Sequence, residues 1–198
     1  MTSKNQSRMI PDKSQALDFH RKAGSSAQIM KHCSLVAKIA LIFAKGLGSK
    51  GNDDVDERTV FAAALLHDIG RSQTNSILHG VAGARIAKDF GCDERIVEIV
   101  RRHVGAGISD EEARKYGFPA GDYIPRTLEQ KVVCFADKLV ASDRVAPLEK
   151  EAEKFRRKGL DVERLYSLRD SVKIALGEDP EEYLFKKITS NDEENPFE

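Results

Sequence analysis

Ala62-Ala63-Ala64-Leu65-Leu66-His67-Asp68-Ile69-Gly70-Arg71 is the stretch on which the reading of this chain turns. An apolar run of helical composition ends in adjacent His and Asp, and Gly70 follows where a helix stops. Burying that pair behind Ala and Leu is costly unless something satisfies both side chains. A divalent metal does so, provided that further N and O donors arrive from elsewhere in the chain. The sequence holds such donors: His32 upstream, His79 and His103 downstream, and Asp137 within Cys134-Phe135-Ala136-Asp137-Lys138.

Working outward, each donor falls on a predicted helix. Pro11-Asp12-Lys13-Ser14 opens a helix carrying Ala16, Leu17 and Phe19 and ended by Gly24. His20, beside Arg21 and Lys22, stands outside the donor spacing and is expected to be solvated. A second helix runs from about Ser26 to Lys45 and is stopped by Gly46 and Gly48, with His32, Val36, Ile39 and Phe43 on its apolar face. Taken alone, a histidine there is a core residue; its company makes it a ligand candidate. Asp54 or Asp56 caps the helix that ends in His67-Asp68. Helices from Ile77 to Phe90 and from Asp93 onward place His79 and His103 inward. Gly80 and Gly83 suit a close approach of helices. Thr127 opens the helix that carries Asp137.

Between His103 and that helix, residues 105–126 hold two Gly-rich turns around a short helix that Ser109-x-x-Glu112 caps. Such a segment is expected to form a lid or pocket wall, with Tyr116, Phe118 and Tyr123 filling its own small core or stacking on a base. After Pro147 the chain becomes highly charged, and this run is expected to be a solvated face. Leu165, Leu168 and Val172 give at least one amphipathic helix that covers the core or pairs with another subunit. Few segments suggest strands and no repeat is present, so the fold expected is all-α. The organisation expected is a loose N-terminus over 1–10, one domain over 11–146, a charged helical extension of it over 147–189, and a disordered tail over 190–198.

Composition narrows the function. Lys+Arg and Asp+Glu are equal at 32 each, a formal net charge of zero that does not favour a protein coating long nucleic acid. Cys33, Cys92 and Cys134 show no Cys-x-x-Cys spacing and read as free thiols in a reducing compartment. No apolar run is read as approaching membrane-spanning length, and a cytoplasmic protein is expected.

The order His…His-Asp…His…His…Asp, with His67-Asp68-Ile69-Gly70 at its centre, strongly resembles the HD superfamily of metal-dependent phosphohydrolases. His79-Gly80-x-x-Gly83-Ala84 and Ala136-Asp137-Lys138-Leu139 strengthen the match, which runs from about Met30 to Arg144. The resemblance implies a single HD-domain helical bundle, here with extra C-terminal helices. It also implies a first metal site of His32, His67, Asp68 and Asp137, and a second at His79 and His103 with Asp68 bridging. Imidazoles and carboxylates without thiolate suit Fe(II), Mn(II) or Co(II) better than structural zinc, and two ions are expected. His103-Val104 departs from the cyclic-diguanylate branch, which has paired histidines at that point and a Gly-Tyr-Pro signature absent here. The HD hydrolases that split diadenosine tetraphosphate are the nearest resemblance, through the His-Gly-x-x-Gly-Ala step and Leu128-Glu129-Gln130-Lys131…Ala136-Asp137. Arg71 stands where those proteins carry Lys. In its 105–126 insertion and charged C-terminal region the chain is more similar to an archaeal HD group.

The activity implied is that of a phosphohydrolase or phosphodiesterase acting on a small nucleotide or nucleotide-like phosphate by metal-activated water. Asp68 and Arg71 are the expected catalytic residues, and Arg71, Arg102 and Lys138 the expected phosphate contacts. Two other classes use the same ligands: a di-iron HD-type oxygenase, and a non-catalytic HD signalling or RNA-associated module. Retention of all six ligands ranks the last of these lowest. The partners expected are a small-molecule phosphate and a second copy of the chain, with no membrane and no long nucleic acid.

Overall fold

The computed structural model describes residues 8–190. In chain order the helices are α1 Lys13–Ala23, α2 Ala27–Ser49, α3 Glu57–Leu66, a 3₁₀ turn Ile69–Ser72, α4 His79–Asp89, α5 Glu94–Arg102, α6 Asp110–Lys115 and α7 Leu128–Lys138. A two-residue hairpin, β1 Val140–Ala141 with β2 Arg144–Val145, then turns the chain into α8 Leu148–Lys158, α9 Val162–Leu176 and α10 Pro180–Ser190. Among the described residues the fold is all-α apart from that hairpin.

Helix starts follow local chemistry. Asp12, Ser26, Asp56, Asp93, Ser109 and Thr127 each accept a backbone N–H of the first turn, which answers donors that no earlier carbonyl can reach. The stop predicted at Gly46 and Gly48 is wrong. Neither glycine adopts positive φ, and α2 continues to Ser49, just before Gly51 turns with φ 84°. Gly46 instead leaves room for the Tyr183 ring from α10.

α2 is the central element, packed most extensively on α3 and then on α7. Its Val36, Ile39 and Phe43 are fully buried, and Phe43 meets Phe135 of α7 with ring centroids 5.7 Å apart. At 23 residues α2 is long and apolar enough to cross a membrane, contrary to the sequence expectation, but here it is the core of the bundle and it presents His32 to the other donors. Glu129 of α7 is buried and accepts the Asp56 N–H at 3.1 Å, so the Leu-Glu-x-Lys segment holds the start of α3 in place.

His20 is not solvated. It is fully buried, its Nε2–H donates to the Leu65 carbonyl at 2.7 Å, and its Nδ1 accepts from the Ser25 hydroxyl at 2.8 Å. The charged neighbours Arg21 and Lys22 point outward, while position 20 lies on the Ala16 face of α1. His20 thereby satisfies one of the carbonyls left open where α3 ends, next to His67. His20→Ala is expected to lower Tm by about 5 °C, since an unsatisfied buried carbonyl costs about 1–3 kcal/mol. A thermal scan showing no change would contradict that role.

The N-terminal segment is tied down as far as it is described. The Met9 N–H donates to Gly91 and the Met9 carbonyl accepts from Asp93, whereas residues 1–7 and 191–198, expected to be loose, lie outside the described residues. Leu165 and Val172 of α9 are fully buried against α2 and α7, so the C-terminal extension covers the core.

Candidate metal centre

The polypeptide changes conformation at the His-Asp pair. α3 ends at Leu66, His67 keeps helical dihedrals, and Asp68 (φ −100°, ψ 12°) starts the 3₁₀ turn. The tighter turn swings the two side chains toward one point beneath α2 and α7. Gly70 lets the turn touch α4: a Cβ there would overlap the His79 carbonyl and the Gly83 nitrogen. Gly80 permits the close approach of the end of α5, since its own Cβ would lie 2.7 Å from Val104 Cγ2 and 3.1 Å from the Arg101 carbonyl. These contacts bring His79 and His103 to Asp68.

Asp68 divides the donors into two groups. Its Oδ2 faces His32 Nε2 and His67 Nε2, each at 3.9 Å. Its Oδ1 faces His79 Nε2 at 3.2 Å and His103 Nε2 at 3.3 Å. Asp137 completes the first group, with Oδ1 3.0 Å from His32 Nε2 and 3.5 Å from His67 Nε2. The donor atoms of His32, His67 and Asp68 lie within 4.8 Å of one another, as do those of Asp68, His79 and His103. All six residues singled out in the sequence therefore meet.

Hydrogen bonding fixes which nitrogen faces the centre. His67, His79 and His103 each place Nδ1 on a backbone carbonyl three residues earlier, at 2.7, 2.8 and 2.7 Å on Ala64, Ser76 and Val100. A carbonyl only accepts, so each Nδ1 carries a proton, and in the neutral ring each Nε2 is a bare lone pair. The Nε2 atoms of His79 and His103 then lie 3.1 Å apart and 3.2 and 3.3 Å from Asp68 Oδ1, three acceptors that share one neighbouring donor, Arg71 Nη2, 3.3 Å from His79 Nε2. His67 Nε2 and Asp68 Oδ1 are buried with no hydrogen-bond partner. A cation resolves both problems, and the backbone carbonyls are the outer contacts that orient metal-binding imidazoles. The clusters are compatible with divalent metal.

The local field favours the metal-binding forms of Asp68, Asp137 and His103, whereas at His67 the pull of Cys33 and Asp68 outweighs burial and favours a proton that a cation would displace. Burial alone would raise the Asp68 carboxyl, but the surrounding imidazoles of His67, His103 and His79 hold it well below the usual range. Asp137 is likewise pushed up by burial and brought well below its usual range by Lys138, His32 and His67. Burial takes His103 down to about 4 against the pull of Asp68, which leaves its imidazole neutral near pH 7. Two ionised carboxylates and a neutral imidazole are the forms that bind metal.

The expected phosphate contacts divide. Arg71 donates Nε to Asp68 Oδ2 at 2.6 Å, and Lys138 donates to Asp137 Oδ2 at 2.5 Å, so both cations stand at the donors and line the adjoining cavities. Arg102 does not. It is held by Glu98 at 2.8 Å, Asp122 at 2.8 Å and the Ile124 carbonyl at 3.1 Å, and it fastens the 105–126 segment. Ile108, Ala113 and Tyr123 of that segment form a separate small core with Val104, and Phe118 lies edge-on to Tyr123 at 4.8 Å.

The charged C-terminal run is not merely a solvated face. α8 presents Glu151, Lys154, Phe155 and Lys158 to the cavities, with Lys154 paired to Glu151 at 2.6 Å. Their three- and four-residue spacing was visible in the sequence; what α8 packs against was not.

A match to the HD domain family covers residues 29–142, more than half of the chain. The chain belongs to the HD domain family. It is 40% identical over 177 residues to a tRNA (cytidine(56)-2'-O)-methyltransferase of Thermoplasma volcanium, covering 88% of this chain and 51% of that protein. A protein of the same name from Picrophilus torridus is 44% identical over 151 residues, 76% of this chain and 42% of that protein. This HD chain thus spans about half the length of those curated relatives. An uncharacterized protein of Methanocaldococcus jannaschii is 41% identical over 133 residues, 67% of this chain and 78% of that protein. Among solved structures, the HD domain of the L. monocytogenes phosphodiesterase PgpH is similar in fold, with TM-score 0.52 and 16% identity over 82% of this chain and 97% of that one.

Proposed function

We propose that this HD protein hydrolyses a phosphoester or phosphoanhydride of a nucleotide-like compound with two divalent ions. One observation carries the reading: the two oxygens of Asp68 face two separate pairs of histidine nitrogens. His32, His67, Asp137 and Asp68 Oδ2 would hold one ion, and His79, His103 and Asp68 Oδ1 the other. Fe(II), Mn(II) and Co(II) fit this nitrogen–oxygen donor set. Bound there, such ions acidify water and neutralise charge on phosphoryl oxygens.

The chain's own groups supply the rest. Arg71, at the mouth of the cluster, keeps its Nε on Asp68 and its Nη2 3.3 Å from His79 Nε2, and offers its remaining Nη protons to a phosphoryl group. Lys138 is held charged by Asp137 in spite of its burial and faces the same space. The buried walls around His67 and His103 keep bulk water from the donors. In the reaction, the water oxygen bonds to phosphorus, the P–O bond to the leaving group breaks, and one water proton ends on the departing oxygen.

Arg71→Ala is expected to lower turnover about 100-fold, the scale of losing one preorganised donor to a developing oxyanion, while metal content stays intact. Phosphate release from a panel of nucleotides and cyclic phosphates, with metal analysis alongside, checks both halves. Loss of metal in this variant would make Arg71 a structural partner of Asp68 instead.

A second reading draws on the relatives. Two curated proteins similar over most of this chain are named as tRNA methyltransferases, which favours an RNA setting for the module. In that reading the phosphoester belongs to RNA. Oxygen uptake with an organic substrate, without phosphate release, would instead favour the di-iron oxygenase.

A further inference from the structure

The small core of the 105–126 segment faces two cavities. Val104 and Ile108 line the one that reaches His79 and His103. Tyr123 lines another, of about 210 Å³, enclosed by α4, α5 and residues 119–123. No residue of this second cavity lines the spaces over the donor cluster, so it is a separate site.

Its floor is apolar and its rim is cationic. Ala84 and Val97 are buried beneath it, and Val81 packs on the small core. Arg85 and Lys88 stand three residues apart on α4, both exposed, and Arg101 reaches in from α5. No carboxylate lines the cavity; even Asp89, next to Lys88 in sequence, is not part of it. Arg85 and Lys88 form no ion pair among the described residues, and Arg101 meets only Glu98, at 3.3 Å, an acid that Arg102 also uses. On other helices such cations are answered one turn away, as Lys22 is by Asp18 and Lys154 by Glu151. Like charges at this spacing disfavour a helix. An oxyanion reverses the sign, because guanidinium and ammonium groups give it charge-assisted hydrogen bonds.

The walls limit what the oxyanion can carry. Tyr123 is 3% exposed and its hydroxyl donates to the Pro119 carbonyl at 2.9 Å, so it shows no open face on which a base could stack. The cavity is also smaller than the roughly 300–1,000 Å³ of drug-sized sites. A sugar or a short chain fits beside Pro119 and Ala120.

We infer that this cavity binds a small phosphate monoester with a sugar-sized body, its phosphate held by Arg85, Lys88 and Arg101. Such a ligand ties α4 and α5 to residues 119–123. Arg102 already fastens that stretch through Asp122 and the Ile124 carbonyl. Arg164 of α9 fastens the other end of the segment, through the Gly107 carbonyl at 2.9 Å and Glu112 at 2.6 Å. Occupancy thereby steadies the wall of the donor cavity from outside, without entering it. The inference is independent of whether the donor cluster hydrolyses phosphate.

The test uses the full-length, manganese-loaded chain and a phosphonate analogue of ribose 5-phosphate, which a phosphohydrolase does not consume. Calorimetric titration should give a Kd below ~1 mM, the scale of two or three hydrogen bonds between charged groups. Hydrogen–deuterium exchange on the same preparation should slow over 81–88 and 117–123. Arg85→Ala should weaken binding about 10-fold, the loss of one such hydrogen bond, and adding Lys88→Ala should abolish it together with the slowed exchange. Both side chains are exposed, so the fold survives these changes. Arg71→Ala, at the donor cluster, should leave the binding and the slowed exchange in place. No binding, or binding and protection that persist in the double variant, would overturn the inference. So would inorganic phosphate binding as tightly as the analogue, which would mean an adventitious ion only. A single-stranded oligonucleotide that binds more tightly and depends on Arg85 and Lys88 would overturn it in favour of nucleic acid.

Discussion

Asp68→Ala is expected to strip the chain of both ions and to reduce phosphoester turnover by at least ~100-fold. The size follows from position. Loss of an outer partner of a metal ligand already costs about 10–100-fold in metal affinity or activity. Asp68 is in the inner set and serves both groups, with Oδ2 toward His32 and His67 and Oδ1 toward His79 and His103. It is also the partner of Arg71, at 2.6 Å. Removing it leaves the lone pairs of His79 and His103 3.1 Å apart, with Arg71 Nη2, 3.3 Å from His79, as the neighbouring donor. Metal analysis and phosphate release on the same preparation check the result; a variant that keeps two ions and full turnover would remove Asp68 from the centre of the account.

Gly70→Ala should be the most damaging small substitution. The new Cβ would meet backbone atoms of His79 and Gly83, which cannot swing away as a flexible side chain does. The 3₁₀ turn and α4 must separate, and with them Asp68 and His79, now 3.2 Å apart. Overpacking of this kind costs about 1–3 kcal/mol, or roughly 5–10 °C in Tm for a domain of this size. Loss of the ion at His79 and His103 is expected to accompany the drop. Calorimetry and metal counting test this together. An unchanged Tm with full metal content would show that the approach of the turn to α4 is not tight.

The donor cluster was legible because six residues of the right chemistry sat on inward faces of strongly patterned helices, and the HD order tied them together. Helix starts were legible for the same local reason: Asp, Ser and Thr caps announce themselves. Other features depended on the fold. His20 reads as a surface residue beside Arg21 and Lys22, and only the placement of α1 against the end of α3 shows that it bonds Leu65. Gly46 and Gly48 read as a helix stop, but Tyr183 of α10 supplies a reason for a glycine inside α2. Arg102 stands next to His103 in sequence, yet its position on α5 directs it to Glu98 and Asp122. Lys154 and Lys158 were hidden in a charged run, because periodicity tells which residues share a face but not what that face meets.

Counting ions in anaerobically purified wild type and in His79→Ala tests the central claim most directly. Two ions per chain in the wild type and one in His79→Ala are the predicted result, with the remaining ion held by His32, His67, Asp68 and Asp137. A fully active wild type holding a single ion, and His79→Ala holding the same number, would contradict a centre bridged by Asp68.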